Sequence, residues 1–184
     1  MSSAAIVDEI LRTYRERGQR SYGEHVTERQ HALQCATFAE QAGEPPAVVA
    51  ACLLHDYGHL LHDLGEDIAD QGVDARHERI GANRLQEWFP AEVVEPIRLH
   101  AASKRYLCWK EADYFGGLSE ASRKSLALQG GPMNDAEAAE FEQGAHYDFA
   151  VRVRRYDDQG KVPDMVTADF EHYRPLLEAL VRPA

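Results

Sequence analysis

A run of seven apolar residues, Val48-Val49-Ala50-Ala51-Cys52-Leu53-Leu54, ends in His55-Asp56. A helix that is apolar on every side lies in the middle of a domain, with other helices covering it all round. Placing an imidazole and a carboxylate at its sealed end is costly unless a cation or a complete set of hydrogen bonds compensates them. The dipeptide therefore predicts a bound metal at the end of a buried central helix. The rest of the chain must fold around that arrangement.

The flanking segments carry a helical period, and no alternating β-branched run is long enough for a sheet, so the expected class is all-α. Ile6, Ile10, Leu11 and Tyr14 mark the inner stripe of a first helix ending near Gly18. Thr27-Glu28-Arg29-Gln30 has the form of a capping box, opening a second helix through about Ala42 that stops at Gly43 and Pro45-Pro46. The apolar third helix starts at Pro46 and holds His55-Asp56 in its last turns. After a Gly/Asp-rich loop from Leu64 to Asp74, helices are expected near 75–89, 91–101, 103–114 and 119–129. Gly130-Gly131-Pro132 breaks the chain, Asn134-Asp135 can cap a short acidic helix, and further helices are expected at 146–156 and 167–181.

A chain of 184 residues can bury a substantial core, and with no repeat or linker it is read as a single domain over 1–184. Its net charge of -11 opposes attraction to nucleic acid or anionic lipid, so neither partner is expected. Cys35, Cys52 and Cys108 are odd in number, widely spaced and set in apolar segments, which reads as reduced core thiols. The first residues lack a basic region followed by a long apolar stretch, and no segment is long enough to span a bilayer, so a cytoplasmic location is expected.

Nine histidines is a high count for this length. His25, His62, His146 and His172 have no spacing that argues for more than a structural role. His55, Asp56 and His59 differ. On a continuous α-helix, residues four apart share a face, so His55 and His59 would stack while Asp56 points to the flank. A polar helix end with His59 acting as a cap is the bland alternative. His31 lies on the preceding helix, His77 opens the helix after the loop, His100 closes the one after that, and Asp157 sits in Arg154-Arg155-Tyr156-Asp157-Asp158. Four histidines and two aspartates form a mixed nitrogen and oxygen shell without thiolate, which suits iron or manganese better than a structural zinc. Two metals fit if Asp56 bridges them.

The ordered set His31, His55-Asp56, His77, His100, Asp157 resembles the HD-domain superfamily of metal-dependent hydrolases and oxygenases. The resemblance implies a single HD-domain helical bundle. One metal would take His31, His55, Asp56 and Asp157, and the other His77, His100 and the shared Asp56. Asp157 rather than Asp158 is chosen from the family's Arg-Tyr-Asp pattern. A narrower likeness is to the mixed-valence di-iron oxygenases that cleave carbon–phosphorus bonds in organophosphonates, relatives of myo-inositol oxygenase. It rests on Tyr22-Gly23-Glu24, His55-Asp56-Tyr57-Gly58-His59, His62-Asp63-Leu64, Ala75-Arg76-His77-Glu78 and Lys104 four residues after His100.

That likeness implies two iron ions as an Fe(II)/Fe(III) pair, dioxygen as co-substrate, and a small organophosphonate as the substrate. The expected substrate is 1-hydroxy-2-(trimethylammonio)ethylphosphonate or its 2-amino counterpart, yielding phosphate and glycine betaine or glycine. Tyr22 and Glu24 would be a mobile pair in which the phenol holds the open iron site until substrate arrives. His59 and Lys104 would bind the phosphonate, helped by Ser122, Ser125 and Gln129. Residue chemistry agrees in outline. Lys104 stands one turn beyond His100 if the helix continues, although a solvated lysine beside Arg105 fits the same pattern. Ser122, Ser125 and Gln129 form one polar stripe, which an ordinary exposed face also explains. Tyr22, Tyr57, Tyr106 and Tyr114 are candidates to cage a quaternary ammonium, a slight lean toward the trimethylated substrate. Two other classes compete: an HD-type di-metal phosphohydrolase acting on a small phosphoester, and a non-catalytic metal-stabilised module.

Overall fold

The computed structural model describes residues 1–21, 25–62 and 76–183. Among them the chain is all-α, with ten α-helices, one short 3-10 helix and a lone Ser21–Thr27 bridge in place of any strand.

Local chemistry sets the first three helices. In α1 (Ser3–Arg17) the Ser2 hydroxyl caps the N-terminus, and Ile6, Val7, Ile10, Leu11 and Tyr14 form the buried stripe. Thr27 and Gln30 satisfy each other's backbone N–H groups at the start of α2 (Glu28–Gln41), the reciprocal arrangement the sequence predicts. Helix α3 (Pro46–Leu54) begins on a proline whose missing N–H costs nothing at that position, and every residue from Val48 to Leu54 is buried.

Two expectations need correction. Helix α3 ends at Leu54, before His55-Asp56. Asp56, at φ -98° and ψ 10°, turns the chain out of the α ladder into a 3-10 helix, Tyr57–Leu61. Tighter winding puts residue i+4 on a different face, so His55 and His59 do not stack. Gly58 permits the redirection: a Cβ there would overlap the His77 carbonyl and stand 2.8 Å from the Gly81 nitrogen. The second correction concerns 91–114. Helix α4 (His77–Leu85) is followed by one continuous α5 (Ala91–Lys110). Ala101-Ala102-Ser103 contains no breaker, and the Ser103 hydroxyl is satisfied within the helix by the Leu99 carbonyl at 3.0 Å.

Downstream lie α6 (Tyr114–Gly117), α7 (Glu120–Leu128), α8 (Asp135–Glu142), α9 (Tyr147–Gln159) and α10 (Phe170–Leu180). Asn134 and Glu137 form a second capping box at α8. Helices α2, α5, α9 and α10 pack around α3, with α4 laid on α5 and α1 on α10. One core unites α1, α2, α3 and the inner halves of α5 and α9; a smaller cluster of Tyr106, Leu107, Met133 and Ala138 joins the far end of α5 to α8. No described helix is long and apolar enough to cross a membrane.

Candidate metal centre

The C-terminal end of α3 is where five elements meet. Helix α2 contributes His31, the turn after α3 contributes His55 and Asp56, the first turn of α4 contributes His77, α5 contributes His100, and α9 contributes Asp157. All but His77 are buried.

These side chains fall into two groups around Asp56. In the first, the Nε2 atoms of His31 and His55 are 3.1 Å apart, and Asp56 Oδ2 lies 3.1 Å from His55 and 3.5 Å from His31. Asp157 Oδ1 approaches His31 Nε2 at 3.4 Å. In the second, the Nε2 atoms of His77 and His100 are 3.0 Å apart, with Asp56 Oδ1 at 3.2 Å and 3.5 Å from them. Asp56 thus turns one oxygen to each group.

The tautomers can be read from the backbone. Nδ1 of His31 lies 2.8 Å from the Gly160 carbonyl, that of His55 2.8 Å from the Cys52 carbonyl, and that of His100 2.7 Å from the Ile97 carbonyl. A carbonyl only accepts, so each Nδ1 carries the proton and, in the neutral ring, Nε2 presents a bare lone pair inward. His31 and His55 then point lone pairs at each other across 3.1 Å. Asp56 Oδ2, buried beside them 3.1 Å from His55 Nε2, meets no N–H while that ring is neutral. Such a set is stable only around positive charge, and the donor chemistry fits a metal held by nitrogen and oxygen.

Titration without metal points the same way. Burial disfavours the charged form of His55, but Asp56 outweighs it and pushes the imidazole up to about 9. Burial alone would raise Asp56; His55 and His77 reverse this and hold it well below the usual carboxylate range. Burial, with His77 close by, pulls His100 down to about 3, which keeps it a neutral donor.

Asp157 and its neighbour separate cleanly. Asp157 Oδ2 accepts from the buried Arg154 guanidinium at 2.6 Å while Oδ1 faces His31. Asp158 instead binds Tyr114 Oη at 2.5 Å and Arg154. Neither the structural part of Arg154 nor the proximity of Cys35 was expected from sequence. Cys35, one turn after His31 on α2, has its sulfur 3.7 Å from His31 Nε2 and donates to the Tyr156 carbonyl at 3.4 Å. Burial, then Asp157, raises its pKa well above the ordinary thiol value, so it stays protonated beside the cluster.

The predicted anion contacts are only partly gathered. Lys104 is 3% exposed, not a surface lysine, and its ammonium donates to Ser125 Oγ at 2.6 Å. Burial, reinforced by Arg154, pulls its pKa down to about 7. Gln129 Oε1 is buried without a hydrogen-bond partner, and Ser122 is buried with its Oγ 3.4 Å from Lys161 Nζ. Lys161 escaped the sequence reading, yet it stands four residues after Asp157 as Lys104 stands four after His100. His59 lies against the His77 group, stacked on the His77 ring with centroids 4.0 Å apart. Tyr22 and Glu24 lie outside the described residues.

Two of the tyrosines proposed for a cage are employed elsewhere. The Tyr57 hydroxyl donates to Thr13, its ring beside Tyr14 in the core, and Tyr106 donates to Glu142 among Trp109 and Phe141. The histidines given no special role keep apart from the lone-pair cluster: His25 is exposed, His172 pairs with Glu40, His146 precedes α9, and the His62 ring lies 6.0 Å from that of His59.

The HD domain profile matches residues 29–129. The chain is 43% identical over 177 residues to the 1-hydroxy-2-(trimethylamino)ethyl phosphonate dioxygenase (glycine-betaine-forming) of Leisingera caerulea, covering 96% of this chain and 90% of that protein. It is 42% identical over 174 residues to the hydroxymethylphosphonate dioxygenase of Gimesia maris, covering 94% of this chain and 87% of that protein.

Proposed function

Because the chain belongs to the HD-domain family, we propose that its centre serves a phosphonate-cleaving oxygenase, acting on a 1-hydroxy-2-(trimethylammonio)ethylphosphonate or 1-hydroxy-2-aminoethylphosphonate. The products are phosphate and glycine betaine or glycine. The observation that carries this reading is the buried ammonium of Lys104, bonded to Ser125 Oγ at 2.6 Å one helical turn from His100. A buried cation at that place suits an anionic substrate group such as a phosphonate. The names of both relatives support the same class.

In this reading His31, His55, Asp56 and Asp157 would hold one iron, and His77, His100 and Asp56 would hold the other. When bound, the pair supplies redox chemistry toward dioxygen, which side chains cannot provide. The protein groups do the rest. Lys104, Ser122, Ser125, Gln129 and Lys161 receive the phosphonate oxygens and hold the reacting carbon in one orientation. His59, pulled well below its ordinary value by burial and by His77, meets the substrate as a neutral imidazole. The apolar wall of α3 keeps the centre dry and strengthens each of these electrostatic contacts. Tyr22 and Glu24 lie outside the described residues, and their part in substrate binding rests on the family resemblance alone.

Phosphate release from the two phosphonates, measured with and without dioxygen in iron-reconstituted protein, tests the assignment. Release that stops under strict anaerobiosis supports it. Release that continues without dioxygen overturns it in favour of the di-metal phosphohydrolase, whose water-activating chemistry the same shell can serve.

A further inference from the structure

We infer that Gly160 is a positioning residue for the His31 half of the centre, orienting the imidazole through its carbonyl and making room for it by having no side chain. The inference rests on the reading of His31 as a metal ligand. Gly160 has φ -73° and ψ 37°, outside the left-handed region that favours glycine, so a positive φ is not why glycine stands here. Space is. A Cβ at this position would overlap the Cys35 sulfur and come 3.1 Å from His31 Nδ1 and 3.3 Å from Cε1.

Three links converge on this one residue. Its carbonyl accepts the His31 Nδ1–H at 2.8 Å, which fixes the tautomer and aims Nε2 at the centre. Its N–H, bonded to the Tyr156 carbonyl at 2.9 Å, closes the α9 helix that carries Asp157. Its bare Cα is the floor on which Cys35 and His31, one turn apart on α2, both rest. Gly160 therefore joins the helix bearing Asp157 to the helix bearing His31, itself 129 positions from His31 in sequence. Adding a methyl group leaves two responses: the Gly160 carbonyl withdraws from His31, or the thiol is driven against the ring. Cys35 has little freedom to retreat, since it is fully buried and its sulfur already reaches the Tyr156 carbonyl. Either response misplaces Nε2.

The steric origin gives the inference a specific signature, because removing the sulfur should restore what the methyl group takes away. The test compares the full-length wild type, Gly160→Ala, Cys35→Ala and the double variant for iron content, iron affinity and the melting temperature of the metal-free protein. Wild type and Cys35→Ala are expected to hold two irons per chain. Gly160→Ala is expected to keep the His77 site and to weaken the His31 site by roughly 10–100-fold. The double variant should recover most of the lost affinity and melting temperature.

Wild-type affinity for both irons in Gly160→Ala overturns the inference, as does a double variant no better than that single variant. Should Gly160→Ala fail to fold, the double variant alone decides: folding with two irons supports the collision with sulfur, and failure to fold refutes it. A wild-type protein that holds fewer than two irons instead overturns the two-metal reading on which the inference stands.

Discussion

The two halves of the centre are built from the same residue types but to different standards of enclosure. On the His31 side, His31 and His55 side chains are 0% exposed, both rings are locked by backbone carbonyls, and both Nε2 atoms face inward without a proton in the neutral form. On the His77 side, His77 is 14% exposed, its stacking partner His59 is 28% exposed, and His77 Nδ1 lies 3.8 Å from Glu78 Oε2, too far for a hydrogen bond. His77 is therefore free to choose its tautomer and can donate Nε2–H to His100 or Asp56. The first half needs positive charge, a metal ion or a proton on His55; the second can satisfy itself with neutral rings. A closed, preorganised half suits a permanently held metal, and a half-open one suits a position where ligands exchange.

The difference can be broken most severely at the residue the halves share. Asp56→Ala is expected to abolish both metal sites in metal analysis of reconstituted protein, and a surviving full-affinity site would show that Asp56 does not bridge. Next in size is graded chelation. Iron should leave the His77 half before the His31 half, giving a one-iron species that His77→Ala reproduces and His31→Ala does not. Simultaneous loss of both would erase the proposed distinction.

A smaller effect is expected at the anion pocket. Lys104→Ala should leave iron content unchanged and raise KM by the loss of a charge-assisted contact, roughly 1.5–3 kcal/mol, or about 10–150-fold. An unchanged KM would remove Lys104 from substrate binding. The smallest effect concerns pH. With its pKa pulled down to about 7, Lys104 is an ammonium below that value and neutral above it. Affinity for the phosphonate should therefore fall as pH rises through 7, by up to about tenfold per unit. Lys104→Arg keeps its charge throughout, and the phosphonate's own ionisation acts on both proteins, so the ratio of their KM values isolates the lysine. A flat ratio from pH 6 to 9 would contradict the assignment.

Helix α2 was legible because its capping box is local, and α3 because an all-apolar run has one place to go. His59 was misplaced for an equally local reason. Sequence spacing assumes a continuous α-helix, whereas the chain leaves that helix at Asp56 so that Gly58 can press against α4. Lys104 was ambiguous until α5 proved continuous through Ser103, which carries the lysine inward. Arg154 and Lys161 show what spacing misses: each is an ordinary charge in sequence, and Arg154 acquires a role from holding Asp157 and Asp158 beside Tyr114, Lys161 from the approach of Ser122 on α7.

By itself the sequence determined the all-α class, the buried α3, the residue types of a nitrogen and oxygen metal shell, and the acidic balance that speaks against nucleic acid. These follow from periodicity, hydrophobicity and side-chain chemistry, which are properties of neighbouring residues. Tertiary structure alone decided that Asp56 turns one oxygen to each half, that Asp157 faces inward while Asp158 binds Tyr114, and that Gly160 must lack a side chain. Those outcomes depend on close approaches between segments far apart in the chain, where a few tenths of an ångström separate a bond from a collision and no local pattern records which will occur.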